Sequence, residues 1–432
     1  MLAAAEIRNF AAMMNEQTRR FISEHADDNI RLLALQGDKY AGVDLPLALD
    51  QIAGRQVARR KLPAWTAIEG IVYPPHLSME QCSSEQTARY KAALAASLLA
   101  RDGVVSGSCA GNPVFVDLTG GFGVDFSFIA TALKTEEGEG CVYVEQQQHL
   151  CELVRHNLSL LGLSGSTVVC GDGVDYLHRL HRAGIIFLDP ARRDAHGGRT
   201  YSIQDCTPDV SDLCDELLEK GLFVMLKLSP MLDWRKAIGD LRGTCEVHIL
   251  SVGNGCKELL LVLSAQKKGA LRIFCVNDAD TFTFSYDDKD ASAAPSGLLL
   301  ADAASFSVLR DSFLYEPNAS IMKAGCFAQL CRQFEVRSLH PNSHLFVASS
   351  LISDFPGRRF KIRNVSTMNK KELKKVMGGL SKANVSVRNF PIGAEELRRR
   401  LKLKDGGDTY LFGTTLADKT HVLLFCQRAD NP

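Results

Sequence analysis

Short apolar runs alternate with stretches of helical spacing through the middle of the chain. The first run is Val-Phe-Val at residues 114–116, and apolar residues then recur between 126 and 133 at the spacing of one helix face. Short, wholly apolar runs are typical of parallel strands buried on both faces. The pattern therefore predicts an α/β protein with a Rossmann-like, doubly wound sheet. The later runs lie at residues 140–145, 166–172, 183–189 and 221–228.

A glycine-rich turn follows the first predicted strand and leads into a helix. Glycines let the backbone pass close beneath a ligand, and a helix N-terminus offers unpaired N–H groups. The spacing differs from the Gly-x-Gly-x-x-Gly fingerprint of dinucleotide-binding proteins. The turn and its flanks supply these candidate ligand-binding residues: Asp117, Thr119, Gly120, Gly121, Gly123 and Asp125.

Acidic residues end three successive predicted strands. Asp117 ends the first, Glu145 ends the second, and Asp172, followed by Gly173, ends the third. Because the carboxyl ends of parallel strands meet at one edge of a sheet, we expect these carboxylates to lie together. Independent loop acids would rarely be spaced in this way, so the pattern indicates a ligand-binding crevice.

Two further strand ends add chemistry to the same edge. Asp189-Pro190 stands at the exit of the fourth strand, and Lys227 lies near the end of the fifth. If the sheet is parallel, these side chains face the crevice. We therefore take Asp189, Pro190 and Lys227 as the candidate catalytic residues.

The segment before the first strand has a helical pattern. Ser83 or Ser84 can cap a helix that begins near residue 85. Gln81, Thr87 and Lys91 belong to this segment, and the family resemblance given below implies that they are candidates for contact with a ligand in the crevice. A plain amphipathic helix explains the same pattern equally well.

The pattern changes again beyond the fifth strand. Two strands joined by Gly253-Asn-Gly255 predict a terminal hairpin, and Lys267 and Lys268 begin a new region with a polar loop at residues 287–297. We predict four domains. They are a helical region at residues 1–78, a catalytic domain at 79–267, a small ferredoxin-like α/β module at 268–350 and a basic α/β module at 351–432.

Positive charge is concentrated near the C-terminus. The chain has 50 basic and 50 acidic residues, yet residues 354–404 hold 15 basic against four acidic residues, an excess of 11. Such an excess predicts a surface that binds nucleic-acid phosphates, although a solvated, charge-balanced face is the alternative. Arginines also follow the Asp189-Pro190 motif. The residues that we expect to contact phosphates are Arg192, Arg193, Arg358, Arg359, Lys374, Arg398, Arg399 and Arg400.

Composition limits the setting in which the protein works. The 13 cysteines lack Cys-x-x-Cys pairs, which indicates reduced thiols in a cytoplasmic protein and predicts no metal site. No apolar run is long enough to cross a membrane, and the first residues lack the plan of a signal peptide. The sequence leaves the oligomeric state open.

Several motifs together resemble a known family. They are Asp117-Leu-Thr-Gly-Gly-Phe-Gly, Asp189-Pro-Ala-Arg-Arg, Tyr315-Glu-Pro-Asn, Phe390-Pro-Ile-Gly and Leu401-Lys-Leu-Lys. The chain resembles bacterial class I S-adenosylmethionine (SAM)-dependent methyltransferases with a C-terminal THUMP-like domain, along nearly its whole length. The resemblance implies that SAM is the cofactor. It also implies that Glu145 meets the ribose hydroxyls, that Asp172 meets the adenine amino group, and that the segment before the first strand covers the methionine end.

The family resemblance implies methylation of RNA, most simply N-methylation of a base in tRNA or rRNA. Asp189 would then accept a hydrogen bond from the target amino group, but Ala191 replaces the aromatic residue that usually stacks on the base. No cysteine stands beside this motif, which argues against covalent methylation of a pyrimidine carbon. Three alternatives remain, namely methylation of a protein or small molecule, RNA binding by an inactive methyltransferase fold, and, more weakly, an NAD oxidoreductase.

Overall fold

The chain folds as two units, seen here in a computed structural model. It describes residues 14–36, 39–74, 76–101, 111–133, 135–192, 203–266, 269–286 and 306–429. Unit 1 comprises Met1–Val247 and Glu258–Gly269, and unit 2 comprises His248–Lys257 and Ala270–Pro432. Arg193 and the predicted loop at 287–297 lie outside the described residues. No described helix combines the length and apolar character needed to cross a lipid bilayer.

The described strands lie between residues 115 and 428. The strands are β1 (Phe115–Asp117), β2 (Cys141–Glu145), β3 (Thr167–Cys170), β4 (Ala183–Leu188), β5 (Ala191–Arg192), β6 (Cys206–Thr207), β7 (Gly221–Leu228), β8 (Thr244–Val252), β9 (Gly255–Leu263), β10 (Leu271–Asn277), β11 (Asp280–Tyr286), β12 (Phe313–Pro317), β13 (Arg337–Ser338), β14 (Phe346–Ala348), β15 (Gly357–Ser366), β16 (Asn384–Arg388), β17 (Thr409–Thr415) and β18 (His421–Arg428).

Helices precede the first strand and separate most of those that follow. They are α1 (Glu16–Glu24), α2 (Ile30–Ala34), α3 (Leu45–Lys61), α4 (Pro63–Thr66), α5 (His76–Gln81), α6 (Glu85–Arg101), α7 (Val124–Ala132), α8 (Gln148–Leu160), α9 (Gly173–Arg179), α10 (Val210–Lys220), α11 (Trp234–Asp240), α12 (Phe306–Leu309), α13 (Ala319–Ala324), α14 (Phe327–Phe334), α15 (Lys370–Met377) and α16 (Ala394–Arg400).

Unit 1 is built on parallel strands in the order β3-β2-β1-β4-β7. β1 lies at the centre, where Asp117 is opposite Tyr143 of β2 and Phe187 of β4. β9 runs antiparallel to β7 and places Leu260 opposite Lys227. The predicted Rossmann-like α/β fold class is confirmed. Its carboxyl edge carries the ends of β1, β2, β3, β4 and β7 together.

An aromatic cluster packs α7 onto the centre of this sheet. Phe126 of α7 stacks on Phe115 of β1 with ring centroids 5.5 Å apart, and it meets Tyr143 of β2 edge-on at 5.6 Å. All three residues are fully buried. Burying one such side chain contributes about 1.5–3 kcal/mol. The cluster therefore fixes α7, and the glycine turn before it, against the sheet.

Two buried amide side chains fix the connector at residues 72–73. Asn157 of α8 donates from Nδ2 to the carbonyl oxygen of Val72 (2.8 Å), and its Oδ1 accepts the Val72 N–H (3.0 Å). Gln51 of α3 makes the same pair of bonds with Tyr73, at 2.8 and 2.9 Å. Buried backbone groups are costly when unpaired. The two side-chain amides therefore supply the hydrogen bonds that a neighbouring strand would otherwise give to the backbone of this connector.

Unit 2 contains a seven-stranded sheet in the order β13-β14-β12-β15-β18-β17-β16. Its neighbouring strands are antiparallel except for the parallel pair β16 and β17. β12 of the predicted ferredoxin-like module pairs directly with β15 of the predicted basic module, with Glu316 opposite Arg358. α15 and α16 cover one face through Leu373 and Leu397, which share an apolar cluster with Phe425.

The Tyr-Glu-Pro-Asn motif has structural roles in unit 2. The Tyr315 hydroxyl donates to the Ser350 carbonyl oxygen and accepts the Ile352 N–H, both at 2.8 Å. Glu316 is buried and forms ion pairs with two arginines described below. Asn318 caps α13 with its side-chain oxygen. The motif therefore holds β12 and the loop around residue 350 in place.

The amide pair in the connector makes a stability prediction. Asn157→Leu keeps the side chain's size but leaves both backbone groups of Val72 buried without partners. We expect the free energy of unfolding to fall by about 2–5 kcal/mol. Urea unfolding followed by circular dichroism measures this, with Asn384→Leu as a more exposed control. Equal stability of Asn157→Leu and the wild type would contradict the assignment.

Candidate functional site

The three predicted acids lie at the ends of three neighbouring strands. Asp117 is the last residue of β1, Glu145 is the last residue of β2, and Asp172 follows β3 as the N-cap of α9. The parallel register places Glu145 opposite Cys170, two residues before Asp172. Their carboxylates thus belong to one edge of the sheet.

The turn between β1 and α7 requires glycine for steric reasons. A Cβ on Gly120 would lie 2.1 Å from the ring of Tyr143. Gly121 and Gly123 have φ values of +53° and +79°, which L-residues with side chains rarely adopt. A Cβ on Gly121 would meet no atom closer than the Thr119 carbonyl oxygen at 3.8 Å. It would therefore project into an open cradle, which a ligand can occupy.

Glu145 and Asp172 are held by backbone and side-chain donors. Each carboxylate oxygen of Glu145 accepts one backbone N–H, from Gly121 at 3.0 Å and from Gln147 at 2.9 Å. Asp172 caps α9 through Oδ1, and its Oδ2 accepts from Gln146 Nε2 at 2.6 Å. A carboxylate oxygen can accept more than one hydrogen bond. Both residues therefore remain able to accept from hydroxyl and amino groups.

Asp117 is the most buried of the three acids. It is 1% exposed, and its Oδ1 accepts the Thr119 N–H at 2.9 Å. Burial, joined by the carboxylates of Asp125, Asp189 and Glu145, raises the pKa of Asp117 to about 8, although the Thr119 backbone hydrogen bond works to lower it. A cation beside Asp117 would restore its charge.

These features fit SAM. A cationic amine suits Asp117, ribose hydroxyls and an adenine amine suit acceptors such as Glu145 and Asp172, and the open side of Gly121 leaves room for the cofactor. Gly173 packs against the residue that follows Asp117. A Cβ at this position would lie 2.1 Å from the Leu118 carbonyl oxygen, so a larger residue would push these two strand ends apart.

A network of buried charges lies behind this edge. The Lys91 ammonium of α6 is fully buried and contacts Glu258 Oε2 of β9 at 2.6 Å, Ser83 Oγ at 2.8 Å and Asp125 Oδ1 of α7 at 3.0 Å. Ser83 in turn donates to Asp125 Oδ2 at 2.7 Å. Burial works to raise the pKa of Asp125, but Lys91 and Lys227 outweigh it and hold the pKa below its ordinary value.

Lys227 joins this network to Asp189. Its ammonium lies 2.5 Å from Asp189 Oδ2 and 3.8 Å from Asp125 Oδ2. Burial works to lower the pKa of Lys227, but Asp189, Asp125 and Glu258 outweigh it and raise the pKa above its ordinary value. Burial raises the pKa of Asp189, and Lys227 limits that rise. Lys227 is therefore a charged donor and Asp189 is its acceptor.

Asp189 is also tied to the glycine turn. Its backbone N–H donates to Thr119 Oγ1 at 2.7 Å, and the same hydroxyl lies 3.4 Å from Asp117 Oδ1. The side chain of Asp189 is 39% exposed, whereas that of Lys227 is 11% exposed. Pro190 is buried directly after it. Asp189 is thus more exposed than Lys227, its partner in the network.

The segment before β1 shows which of the two serines, Ser83 or Ser84, caps the following helix. Ser84 caps α6, because its Oγ accepts the Thr87 N–H at 3.3 Å, while Ser83 joins the buried network. Thr87 is buried and its hydroxyl donates to the Ser84 carbonyl oxygen at 3.1 Å. Gln81 ends α5 and is exposed. Contact of Gln81, Thr87 or Lys91 with a cofactor stays a prediction.

Sequence reasoning missed Glu258 and the network role of Ser83. Glu258 lies 167 residues from Lys91, so no local spacing connects them. The available signal is a single acid that opens the apolar run of β9. Among the residues described, no group of three or more His, Cys, Asp or Glu side chains could hold a metal ion.

The predicted basic residues of unit 2 divide into paired and unpaired groups. Arg358 and Arg388 both bond to the buried Glu316, with Arg358 Nε at 2.7 Å and Arg388 at 2.9 Å. Arg398 lies 3.0 Å from Asp405, and Arg400 lies 2.5 Å from Glu396. Arg359 is partly buried beside Glu316's strand. Lys374 and Arg399 are exposed and form no ion pair with a described residue, and Arg192 contributes its backbone to β5.

The raised pKa of Asp117 makes stability depend on pH. Between its unfolded pKa near 4 and its folded pKa near 8, the folded state keeps a proton that the unfolded state has lost. Raising the pH through this window therefore destabilises the wild type, by up to about 1.4 kcal/mol per pH unit from this group. Asp117→Asn lacks the effect, so it should gain stability relative to the wild type as pH rises.

Urea unfolding of both proteins at pH 5, 6, 7 and 8 measures the difference, in which other titrating groups cancel. A stability difference that does not change with pH would contradict the buried, protonated Asp117.

Comparison with known proteins identifies both units. Residues 313–356 match a ferredoxin-like domain family, and residues 357–428 match a THUMP domain-like family. A crystal structure from Porphyromonas gingivalis W83, named a "putative methyltransferase", is 30% identical and covers 96% of this chain and 98% of its own, with a TM-score of 0.77.

A more distant match is the O-methyltransferase of Bacillus cereus in complex with S-adenosylhomocysteine. It is 10% identical, covers 49% of this chain and 90% of its own, and has a TM-score of 0.31, too low to transfer a substrate. Among curated proteins, none matches the chain. The glycine turn, the three strand-end acids and the full-length match agree, and the chain belongs to the family of class I SAM-dependent methyltransferases with C-terminal ferredoxin-like and THUMP-like domains.

Proposed function

We propose that this SAM-dependent methyltransferase acts on RNA, with tRNA or rRNA as the substrate class. The observation that carries the proposal is a cluster of exposed, unpaired basic residues in the THUMP domain-like region. We also propose that it works in the cytoplasm, where thiols stay reduced, in keeping with the free thiols of the described cysteines.

The cluster, called here the basic surface, consists of exposed basic residues of α15, α16 and the turns beside these helices that form no ion pair with any described residue. α15 contributes four lysines, and the rest come from α16 and the turns beside it. Lys382 and Lys404 lie opposite each other in an isolated parallel β-bridge, which brings these two lysines to neighbouring backbone positions. The members are Lys370, Lys371, Lys374, Lys375, Lys382, Arg399, Lys402 and Lys404.

Unpaired like charges at one surface favour an anionic partner. Neighbouring ammonium groups repel one another, and phosphates remove this cost when they bind. Nucleic acids also release counterions as they bind, which strengthens association at low salt. A small molecule or an ordinary protein substrate would not need this surface. RNA is therefore the substrate that the distribution of charge supports best.

The residues of unit 1 can then be given roles in methyl transfer. SAM supplies a methyl group made electrophilic by its sulfonium. Asp117, Glu145 and the turn at Gly121 would hold the cofactor, and Asp189 with Lys227 would face the methyl acceptor. Positioning of the two reactants supplies most of the rate acceleration in such a reaction.

Two acceptor atoms are candidates. A base nitrogen is the acceptor that the Asp189-Pro190 motif predicts, with the carboxylate accepting a hydrogen bond from an amino group. A ribose hydroxyl is the second candidate, because a charged Lys227 lies 2.5 Å from the same carboxylate.

Cofactor binding tests the role of the strand-end acids. Glu145→Ala removes two backbone contacts and one acceptor for the cofactor, so it should weaken SAM binding by about 1–3 kcal/mol. Isothermal titration calorimetry with SAM and S-adenosylhomocysteine measures this. Glu139→Ala changes an exposed acid near the opposite end of β2 and should bind as the wild type does. Wild-type protein that binds neither ligand would contradict the enzyme's proposed cofactor site.

Charge reversal tests the basic surface. Lys371→Glu with Lys374→Glu changes the charge by four units on α15 while keeping the apolar face through Leu373 intact. We expect weaker RNA binding and a shallower salt dependence, by about 0.7–0.9 in the slope of log K against log salt for each lost phosphate contact. Filter binding of total tRNA and rRNA at several salt concentrations measures both.

A matched control makes the same charge change elsewhere. Arg179→Glu with Arg182→Glu alters two exposed arginines just before β4, away from its carboxyl end. This variant should keep wild-type RNA affinity, and both variants should keep SAM affinity. Equal affinities and equal salt slopes for all three proteins would show that the basic surface does not hold RNA.

A further inference from the structure

The charged network of unit 1 presents one donor and one acceptor at its outer end. The Lys91 ammonium contacts Ser83, Asp125 and Glu258 at the inner end of the network. Asp125 is shared, and it lies 3.0 Å from Lys91 but 3.8 Å from Lys227. Lys227 therefore sits closest to Asp189, at 2.5 Å. The outward pair consists of a charged donor and a carboxylate acceptor.

Asp189 retains an open acceptor atom. Lys227 contacts Oδ2, and no described residue donates to Oδ1. The side chain is 39% exposed, so Oδ1 is available to a bound substrate. Lys227 has three ammonium protons and is also able to donate to a substrate atom beside Asp189.

This pairing suits a hydroxyl better than an amino group of a base. A hydroxyl donates one hydrogen bond and accepts others, so it can donate to Asp189 and accept from Lys227. The amino group of a base only donates, because its lone pair is delocalised into the ring. Attack by that nitrogen also builds positive charge beside an ammonium. Attack by oxygen instead builds negative charge, which the ammonium stabilises.

We propose that the methyl acceptor is a hydroxyl of RNA, namely a ribose 2′-hydroxyl, bound between Asp189 and Lys227. This assignment rests on the proposed function, and it selects oxygen over the base nitrogen that the sequence motif predicts. It also accounts for Ala191 in place of a base-stacking aromatic residue, since a ribose needs no such platform. Lys91 and Glu258 act as positioning residues that hold Asp125 and direct Lys227 toward Asp189.

The reaction balances with the groups present. A lone pair of the hydroxyl oxygen forms the bond to the methyl carbon, and the carbon–sulfur bond breaks with its electron pair remaining on sulfur. The products are a methyl ether and S-adenosylhomocysteine. The hydroxyl proton passes to Asp189 and then to solvent, which the exposed side chain contacts. Lys227 keeps its protons throughout and stabilises the charge that develops on oxygen.

Product analysis tests the assignment directly. Purified enzyme is incubated with methyl-deuterated SAM and total RNA from cells that lack the protein. The RNA is then digested to nucleosides, and mass spectrometry reports whether the labelled methyl stays with the ribose or with the base. We expect label on the ribose. Label on a base would overturn the hydroxyl assignment while supporting RNA methylation, and no transfer to any RNA would overturn both.

Two variants separate the roles of the pair. Asp189→Asn keeps a hydrogen-bond acceptor but cannot take a proton, so transfer should fall by about 100-fold or more if the acceptor is a hydroxyl. Lys227→Met should cause a loss of about 100-fold. Both should bind S-adenosylhomocysteine with near-wild-type affinity, and Lys236→Met, on the exposed face of α11, should be fully active. Wild-type transfer by Asp189→Asn would overturn the proposal.

The positioning role has its own readout. Lys91→Arg preserves the charge beside Asp125 and Glu258, whereas Lys91→Met leaves two buried carboxylates with Lys227 alone. We expect Lys91→Met to lower kcat with little change in the KM for RNA, and Lys91→Arg to recover part of the loss. A purely structural role would instead lower the amount of folded enzyme and leave kcat per folded molecule unchanged, which would overturn the positioning role.

Discussion

Two buried lysines share one buried carboxylate at the carboxyl edge of the unit 1 sheet, and the rest of the site depends on that arrangement. Lys91, Asp125 and Glu258 come from α6, α7 and β9, so their ion pairs tie three elements together. Breaking one buried ion pair typically costs about 3–5 kcal/mol, because the remaining charge loses its partner. The charges of Lys91, Asp125 and Glu258 are paired with one another inside the network. Asp189 and Lys227 form the outer end of the network, where we propose that they meet a substrate, and their ion pair lies next to the inner one through Asp125.

The cofactor edge and the charged pair are connected through the glycine turn. Thr119 binds Asp117 through its N–H and receives the Asp189 N–H at its hydroxyl. Gly121 donates to Glu145 from the same turn. A shift of this turn would therefore move the proposed cofactor acceptors Asp117 and Glu145 together with Asp189 of the proposed substrate pair. Such coupling is useful in methyl transfer, where the donor and acceptor atoms must be aligned within a fraction of an ångström.

Local patterns in the sequence predict the strands of unit 1 and the position of Asp117, Glu145 and Asp172, because strand length, glycine and acid placement are local properties. Long-range partners are not local. The sequence around Lys91 does not predict its contact with Glu258, which lies 167 residues away. The sequence around Arg358 likewise does not predict its contact with Glu316 on the neighbouring strand. Counting charges likewise cannot separate Arg398 and Arg400, which acids neutralise, from Arg399, which forms no ion pair in the described part of the chain. The fold class can therefore be predicted from the sequence. Which charged residues pair with one another depends on the tertiary structure, which local sequence patterns do not reveal.

In the arrangement that we propose, one edge of the unit 1 sheet holds SAM along Asp117, Glu145 and Asp172 and presents Asp189 with Lys227 to an RNA hydroxyl. A crystal structure of the enzyme with S-adenosylhomocysteine and a bound RNA oligonucleotide tests it most directly. We expect the cofactor product over the turn at Gly121, and a ribose 2′-oxygen within hydrogen-bond distance of both Asp189 and Lys227. A base amino group at Asp189, with the ribose turned away from Lys227, would contradict it.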